Sequence, residues 1–387
     1  MIGALDNSAS ELLATLVGFD TTSAKSNLAL IDFVRDFLAG QGVTSTLTPS
    51  ADGAKASLFA GIGPKGAGGI GLSAHSDCVP VEGQSWTSDP FTLSPRDGKL
   101  YGRGTCDMKG FLACVLASVH RFKAAPLKEP IHILLSYDEE MGCLGVRPLI
   151  ARFGQDLPRP RAIIVGEPSG MEVIDAHKRI DAYTTTVTGK EAHSSVPELG
   201  INAITYAAEL IVELLHIGDR LADEESDPRF DPPCSTVQAG TIRGGTAPNI
   251  VPKTCSFQWQ VRSLPSAQQG LVAKRLADFA ARTLLPHMRR VAPKASIETA
   301  DRSAVPAFHA PAGSDAVALA LQLTGSNRTR AVSYATEAGL FEAAGAPAVI
   351  CGPGSVAQAH AADEFVSAEQ LQACLALLDR LAQQMSA

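Results

Sequence analysis

Four short apolar runs, each leading into a histidine or an acid, constrain this chain more than any other feature. Residues 69–74 run into His75, 131–137 into Asp138-Glu139-Glu140, and Ala162–Val165 into Gly166-Glu167; after 347–351, across Gly352-Pro353-Gly354, comes His360. Uninterrupted apolar runs are the pattern of strands covered on both faces, and a helical stretch over 109–123 separates the first two. Helix-period positions at 9–17 and 27–39, the second with Ser26 as a possible cap, precede them. The alternation predicts an α/β fold with a mostly parallel sheet covered by helices.

From about Arg179 the pattern changes. Residues 181–188 alternate as a strand, 200–217 read as helix, 236–242 and 254–261 as strands, 268–286 as helix and 295–299 as strand. A β-α-β-β-α-β order is that of a ferredoxin-like α+β domain. We therefore expect residues 1–179 and 303–387 to form one domain, interrupted by an inserted domain at 180–302. A chain of 387 residues has room for about two domains of ordinary size.

Composition narrows the function. Against 40 Asp and Glu stand 33 Lys and Arg, a net charge of −7 with no basic block, which argues against nucleic acid as a partner. The first residues lack the basic start and apolar run of a signal peptide, and no apolar stretch is long enough to span a bilayer, so a cytoplasmic protein without a membrane partner is expected. Eight cysteines without a C-x-x-C pair read as reduced, mostly buried thiols.

The chemistry gathers at the strand ends. His75 and Asp77 are two apart in extended chain, so both point the same way, and a carboxylate there can orient an imidazole that ligates a metal. Asp107 sits in the glycine-rich turn Gly102-Arg103-Gly104-Thr105-Cys106-Asp107 just before a helix, where a plain N-cap is the alternative. His75, Glu139, Glu140, Glu167 and His360 all fall at or beyond the carboxyl ends of strands, where open α/β sheets bind ligands. If His75, Asp107 and Glu167 hold one divalent cation and Asp107, Glu140 and His360 a second, three carboxylates and one hydroxide neutralise two cations; without cations the carboxylates repel. Glu139 is then left over beside the ligands, where it suits a general base taking a proton from metal-bound water. A thiol enzyme using Cys106 or Cys78, and a non-catalytic binder on the same fold, are the competing readings.

His75-Ser76-Asp77, the turn from Gly102 to Gly110, Glu139-Glu140-Met141-Gly142-Cys143-Leu144-Gly145 and Gly166-Glu167-Pro168 together resemble the M20 family of di-zinc aminoacylases and carboxypeptidases, in order and over nearly the whole chain. The resemblance implies two Zn2+ ions, with Co2+ able to substitute, held by His75, Asp107, Glu140, Glu167 and His360. It makes Glu139 the base and Asp77 the support of His75, and places a cis peptide after Asp107. It makes the inserted domain a lid and dimerisation domain of a homodimer, with His193 in Ala192-His193-Ser194-Ser195 reaching the substrate carbonyl. Asn249 and Arg262 match positions that hold the carboxylate end of a small-molecule N-acyl amino acid, Gly354 lies in a matching Gly352-Pro353-Gly354-Ser355 segment, and Glu337 is a candidate reader of a substrate ammonium or a solvent-facing acid at a helix start. The implied reaction removes an acyl group, acetyl in the first instance, from a basic amino acid. Arg179, where the family often has glycine, and Gln260-Val261-Arg262, in place of a more acidic strand, depart from the pattern without touching the metal set.

Overall fold

The computed structural model describes residues 7–66 and 68–387. The chain divides into two compact units, one of residues 1–176, 309–330 and 336–387 and the other of residues 177–308 and 331–335. The first is built on a nine-stranded sheet. Its first seven strands run in the order Ser45–Pro49, Ala56–Ile62, Ile131–Ser136, Ile70–His75, Ala162–Val165, Ala348–Ile350 and Ile174–His177. The four strands from Ile131–Ser136 to Ala348–Ile350 are parallel, and Ile70–His75, Ile131–Ser136 and Ala162–Val165 are buried at every residue, as their largely apolar runs predict. Parallel neighbours place their carboxyl ends side by side, with His75 opposite Ser136 and Ser73 opposite Val165. This brings His75, Glu139–Glu140 and Glu167 to one edge of the sheet.

Helix Gly110–Ala124 is buried continuously from Gly110 to Val119, since its sequence is apolar or small all round. Helix Leu28–Gly40 begins one residue later than Ser26 capping would require. Asn27 occupies the cap position, and its amide is spent on the backbone of Ala56, while Ser26 Oγ accepts from Leu28 N at 3.2 Å. The antiparallel edge strand Ser45–Pro49, its neighbour Ala56–Ile62, which pairs antiparallel with Ile131–Ser136 on its other side, and a small sheet of Ser94–Arg96, Lys99–Tyr101 and Phe365–Ser367 add to what the sequence pattern suggests.

The second unit is a four-stranded antiparallel sheet in the order Thr236–Gly244, Thr254–Ser263, Arg179–Thr188, Ser296–Val305. Chain order and sheet order together give the expected β-α-β-β-α-β arrangement. Tyr183, Val187, Cys255, Phe257, Trp259 and Val261 alternate onto one face and form a core with Leu210, Leu214 and Ile217 of helix Ala203–Glu224. That helix is longer than its apolar period suggests, and Asn202 caps it by accepting from Ile204 N and Thr205 N at 3.0 and 3.2 Å. Tyr183 stacks on Trp259 with centroids 4.3 Å apart, and the indole donates to Thr185 Oγ1 at 2.9 Å. Among the described residues no helix is long and apolar enough to cross a membrane.

Candidate metal centre

His75 ends its strand fully buried. Its Nδ1 is 3.0 Å from the Asp77 carbonyl oxygen and 3.5 Å from the Asp77 carboxylate, so Nε2 is the nitrogen presented to the site. The two-residue spacing thus works first through the Asp77 main chain. The Asp77 carboxylate has a second task, accepting from Glu139 N at 3.1 Å, Glu140 N at 3.3 Å and Ser23 Oγ at 2.7 Å. Asp77 therefore orients the imidazole through its carbonyl and, through its buried carboxylate, fixes the backbone from which both glutamates project.

Asp107 lies in an irregular turn before helix Gly110–Ala124, and the Asp107–Met108 peptide is cis, as the resemblance implies. Its Oδ1 is 2.9 Å from His75 Nε2 and its Oδ2 3.4 Å from His360 Nε2. A carboxylate with one oxygen toward each histidine is disposed to bridge two cations. His360 also lies 3.0 Å from Glu140 Oε1, and Glu167 Oε1 lies 3.7 Å from His75 Nε2. Donor atoms of His75, Asp107 and Glu140 fall within 4.8 Å of one another, and so do those of His75, Glu139 and Glu167. The third acid of the triplet leaves the group: Asp138, in a left-handed conformation, pairs with Lys55 instead.

The electrostatics show why such a cluster calls for cations. Burial, with neighbouring carboxylates adding to it, pushes Glu139 and Glu167 well above the usual carboxyl range and Glu140 upward. Burial opposes charge on His75, yet Asp107 and Asp77 outweigh it and hold the imidazole well above its ordinary value. Hydrogen bonds to the Asp107 and Glu140 carboxylates draw His360 up to about 10, and the two histidines hold Asp107 well below the usual range against its burial. Left to itself the cluster retains protons to offset its own negative charge. Two divalent cations would do the same work through the same oxygen and nitrogen donors, which are those zinc takes. The residues fit a two-cation centre.

Glu337 is buried, and a solvent-facing position is ruled out. Its Oε1 accepts from Ser136 Oγ at 2.5 Å and its Oε2 from Ser73 Oγ at 3.2 Å, and burial raises its pKa to about 7. Ser73 and Ser136 stand on adjacent strands, so this acid braces the sheet beneath the cluster. Gly354 has φ 87°, and a Cβ there would lie 2.5 Å from Cys106 Sγ; only glycine lets this loop press against the Asp107 turn. The thiols favoured by the competing reading are poor nucleophiles. Burial raises both Cys78 and Cys106, Cys106 the more strongly. Cys143, which the sequence does not single out, donates from Sγ to Glu139 Oε1 at 3.3 Å; the turn in which Gly142 N and Cys143 N both bond Glu139 O places it there.

The remaining candidates lie in the second unit. His193 is exposed, its Nδ1 2.7 Å from Ser195 Oγ, and its segment is strapped to that of Asn249 by Ser194 N to Asn249 O and Val251 N to Ala192 O. Arg262 is half-buried, donates from Nη1 to Ser333 O at 3.3 Å, and has its pKa lowered by burial. No ion pair of Arg262 occurs among the described residues.

A mostly parallel sheet that gathers an aspartate set between two histidines, with three glutamates beside them, at its carboxyl edge has the donor set of a metallohydrolase. The chain matches peptidase family M20/M25/M40 over residues 71–384. It is 35% identical over 374 residues to the acetylornithine deacetylase of Proteus mirabilis, covering 96% of this chain and 94% of that protein. It is 35% identical over 373 residues to that of Myxococcus xanthus, covering 95% of each. Its fold is that of an M20 family metallo-carboxypeptidase from Sulfolobus solfataricus, with a TM-score of 0.74 at 16% identity over 98% of this chain and 99% of the other. The chain belongs to the M20 peptidase family and is a metal-dependent amide hydrolase.

Proposed function

We propose that the protein deacetylates N2-acetyl-L-ornithine, releasing acetate and L-ornithine in the cytoplasm as a step toward arginine. The observation that carries the reading is the Asp107 carboxylate turned to His75 on one side and His360 on the other, with Glu139 beside it and outside that bridge. The kinship to acetylornithine deacetylases along nearly the whole chain supports the substrate. His75, Glu167 and Asp107 would hold one Zn2+, and Asp107, Glu140 and His360 the other. When bound, the ions would acidify water and polarise the scissile carbonyl. Glu139 takes the proton of the attacking water and passes it to the departing amine. Its raised pKa, the Cys143 thiol and the Asp77 hold on its backbone suit it to accept and return one proton.

From the second unit we assign His193 to the developing oxyanion, and Asn249 and Arg262 to the substrate carboxylate. A half-buried guanidinium without an acid partner favours an anionic ligand. Glu337 is not assigned to the ornithine ammonium, because it is buried against Ser73 and Ser136 within the sheet. The exposed apolar side chains Val212, Leu215 and Ile242 on helix Ala203–Glu224 and strand Thr236–Gly244 support a homodimer formed through this unit.

The test is kcat/KM of the zinc-loaded protein on N2-acetyl-L-ornithine beside N-succinyl-diaminopimelate and N-acetyl-L-methionine, each with a chelated control. A preference for acetylornithine that chelation abolishes is the expected result. Preference for either competitor keeps the amide hydrolase and overturns the substrate.

A further inference from the structure

Glu364 takes no part in the proposed ligand set, yet it is 1% exposed and fully engaged. Its Oε1 accepts from Cys106 N at 2.9 Å and Asp107 N at 3.1 Å, and its Oε2 from Gly104 N at 3.0 Å and Arg103 Nη1 at 2.7 Å. Its own carbonyl accepts from Gly102 N at 2.9 Å. The turn from Gly102 to Asp107 is thus wrapped around one carboxylate. Because both oxygens only accept, and every partner donates, the group acts as an anion at the centre of a turn whose amides have no helical partners.

The network continues to the other side of the cluster. Arg103, 1% exposed and lying over the Trp86 ring, also donates from Nη1 to Ala361 O at 3.3 Å and from Nη2 to Gln84 Oε1 at 2.5 Å and Pro80 O at 3.3 Å. Gln84 Nε2 in turn donates to His360 O at 2.8 Å. His360 has φ 62° and Asp363 φ 55°, left-handed values uncommon outside glycine, so the loop turns sharply at both residues. Asp363 Oδ1 accepts from Thr87 N and Thr87 Oγ1, securing the far end of the same loop.

We infer that Glu364, through Arg103 and Gln84, is a positioning residue that sets the main chain of Asp107 and His360 together, and so determines whether the second cation position is filled. This rests on the reading of Asp107, Glu140 and His360 as metal ligands. His75 is held by Asp77, and Glu167 extends directly from its strand end; neither bonds to the relay. The relay therefore acts on the two ligands that come from loops, and the second position, which takes both, feels it most. Partners that orient a ligand without touching the metal are worth about 10- to 100-fold in affinity.

The experiment is Zn2+ titration of the metal-stripped, full-length protein against a chromophoric chelator, for the unaltered chain, Glu364→Gln and Gln84→Ala, with circular dichroism as a check on folding. The unaltered chain is expected to take up two equivalents. Gln84→Ala, a change at a partly exposed side chain, is expected to weaken the second equivalent about tenfold and leave the first within about twofold, and Glu364→Gln to weaken the second by about 100-fold. In both, kcat at limiting zinc falls while KM stays within about twofold, and excess Zn2+ restores kcat. Should Glu364→Gln not fold, Gln84→Ala decides. Two equivalents bound by both variants as tightly as by the unaltered chain, or both equivalents weakened alike, overturns the relay and leaves the metal centre standing. Fewer than two equivalents in the unaltered chain overturns the two-cation reading itself, and the relay with it.

Discussion

The two sheets bury their residues by opposite rules. In the nine-stranded sheet the inner parallel strands are covered on both faces, so the few polar residues along them, Ser73 and His132, are each hydrogen-bonded within the protein and the charged groups gather at the strand ends. In the four-stranded sheet one face packs on helices while Thr184, Thr186, Gln258 and Gln260 occupy the other, so the two central strands alternate. Parallel pairing aligns strand ends from distant parts of the chain. That alignment concentrates five acids and histidines in one place, whereas antiparallel pairing spends its order on a core.

This contrast predicts that metal loss is felt by one sheet and core damage by the other. Chelation is expected to lower turnover by more than about 10⁴-fold, and Zn2+ at about 100 times its Kd to raise stability by about 2.7 kcal/mol in thermal melts. Glu139→Gln is expected to cut kcat by about 10³-fold while zinc stoichiometry by atomic absorption is unchanged; turnover within tenfold of normal would remove Glu139 as the base. Trp259→Ala, in the core of the second unit, should cost about 3–5 kcal/mol in urea unfolding with zinc binding intact, and loss of zinc would break the separation drawn here. His193→Ala is expected to lower kcat by about 10²-fold, leaving zinc affinity alone. Smallest is Asn202→Ala, about 1 kcal/mol from losing the cap of helix Ala203–Glu224, with kcat unmoved.

The strands and ligands were legible for related reasons. A run such as Ile131–Ser136 can be read because covering both faces forces a continuous apolar string, and the acids behind it stand out for that reason. The antiparallel strands Ser45–Pro49 and Ala56–Ile62 were not legible, since neither is a long apolar run nor cleanly alternating. Ser26 and Asn27 are both good caps by residue type, and only the fold divides their work: Asn27 holds the cap position with its amide committed to Ala56 across the core, while Ser26 Oγ accepts from Leu28 N. Glu337 carried two open readings, and its burial under Ser73 and Ser136 excluded the solvent-facing one.

The sequence by itself determined the chemical inventory and its coarse placement: which strands end in which donors, and that an α+β unit interrupts the α/β one. Both follow from local periodicity, which every few residues report. Only the tertiary structure decided how those donors are held. Asp77 reaches the amides of Glu139 and Glu140, Glu364 closes around the Asp107 turn, and Cys143 meets Glu139. Most of these contacts join residues far apart in the chain, and even the short Cys143 contact depends on a turn without periodicity. They exist because packing brings a buried donor and an acceptor from different elements within reach of each other, a condition no stretch of sequence states alone.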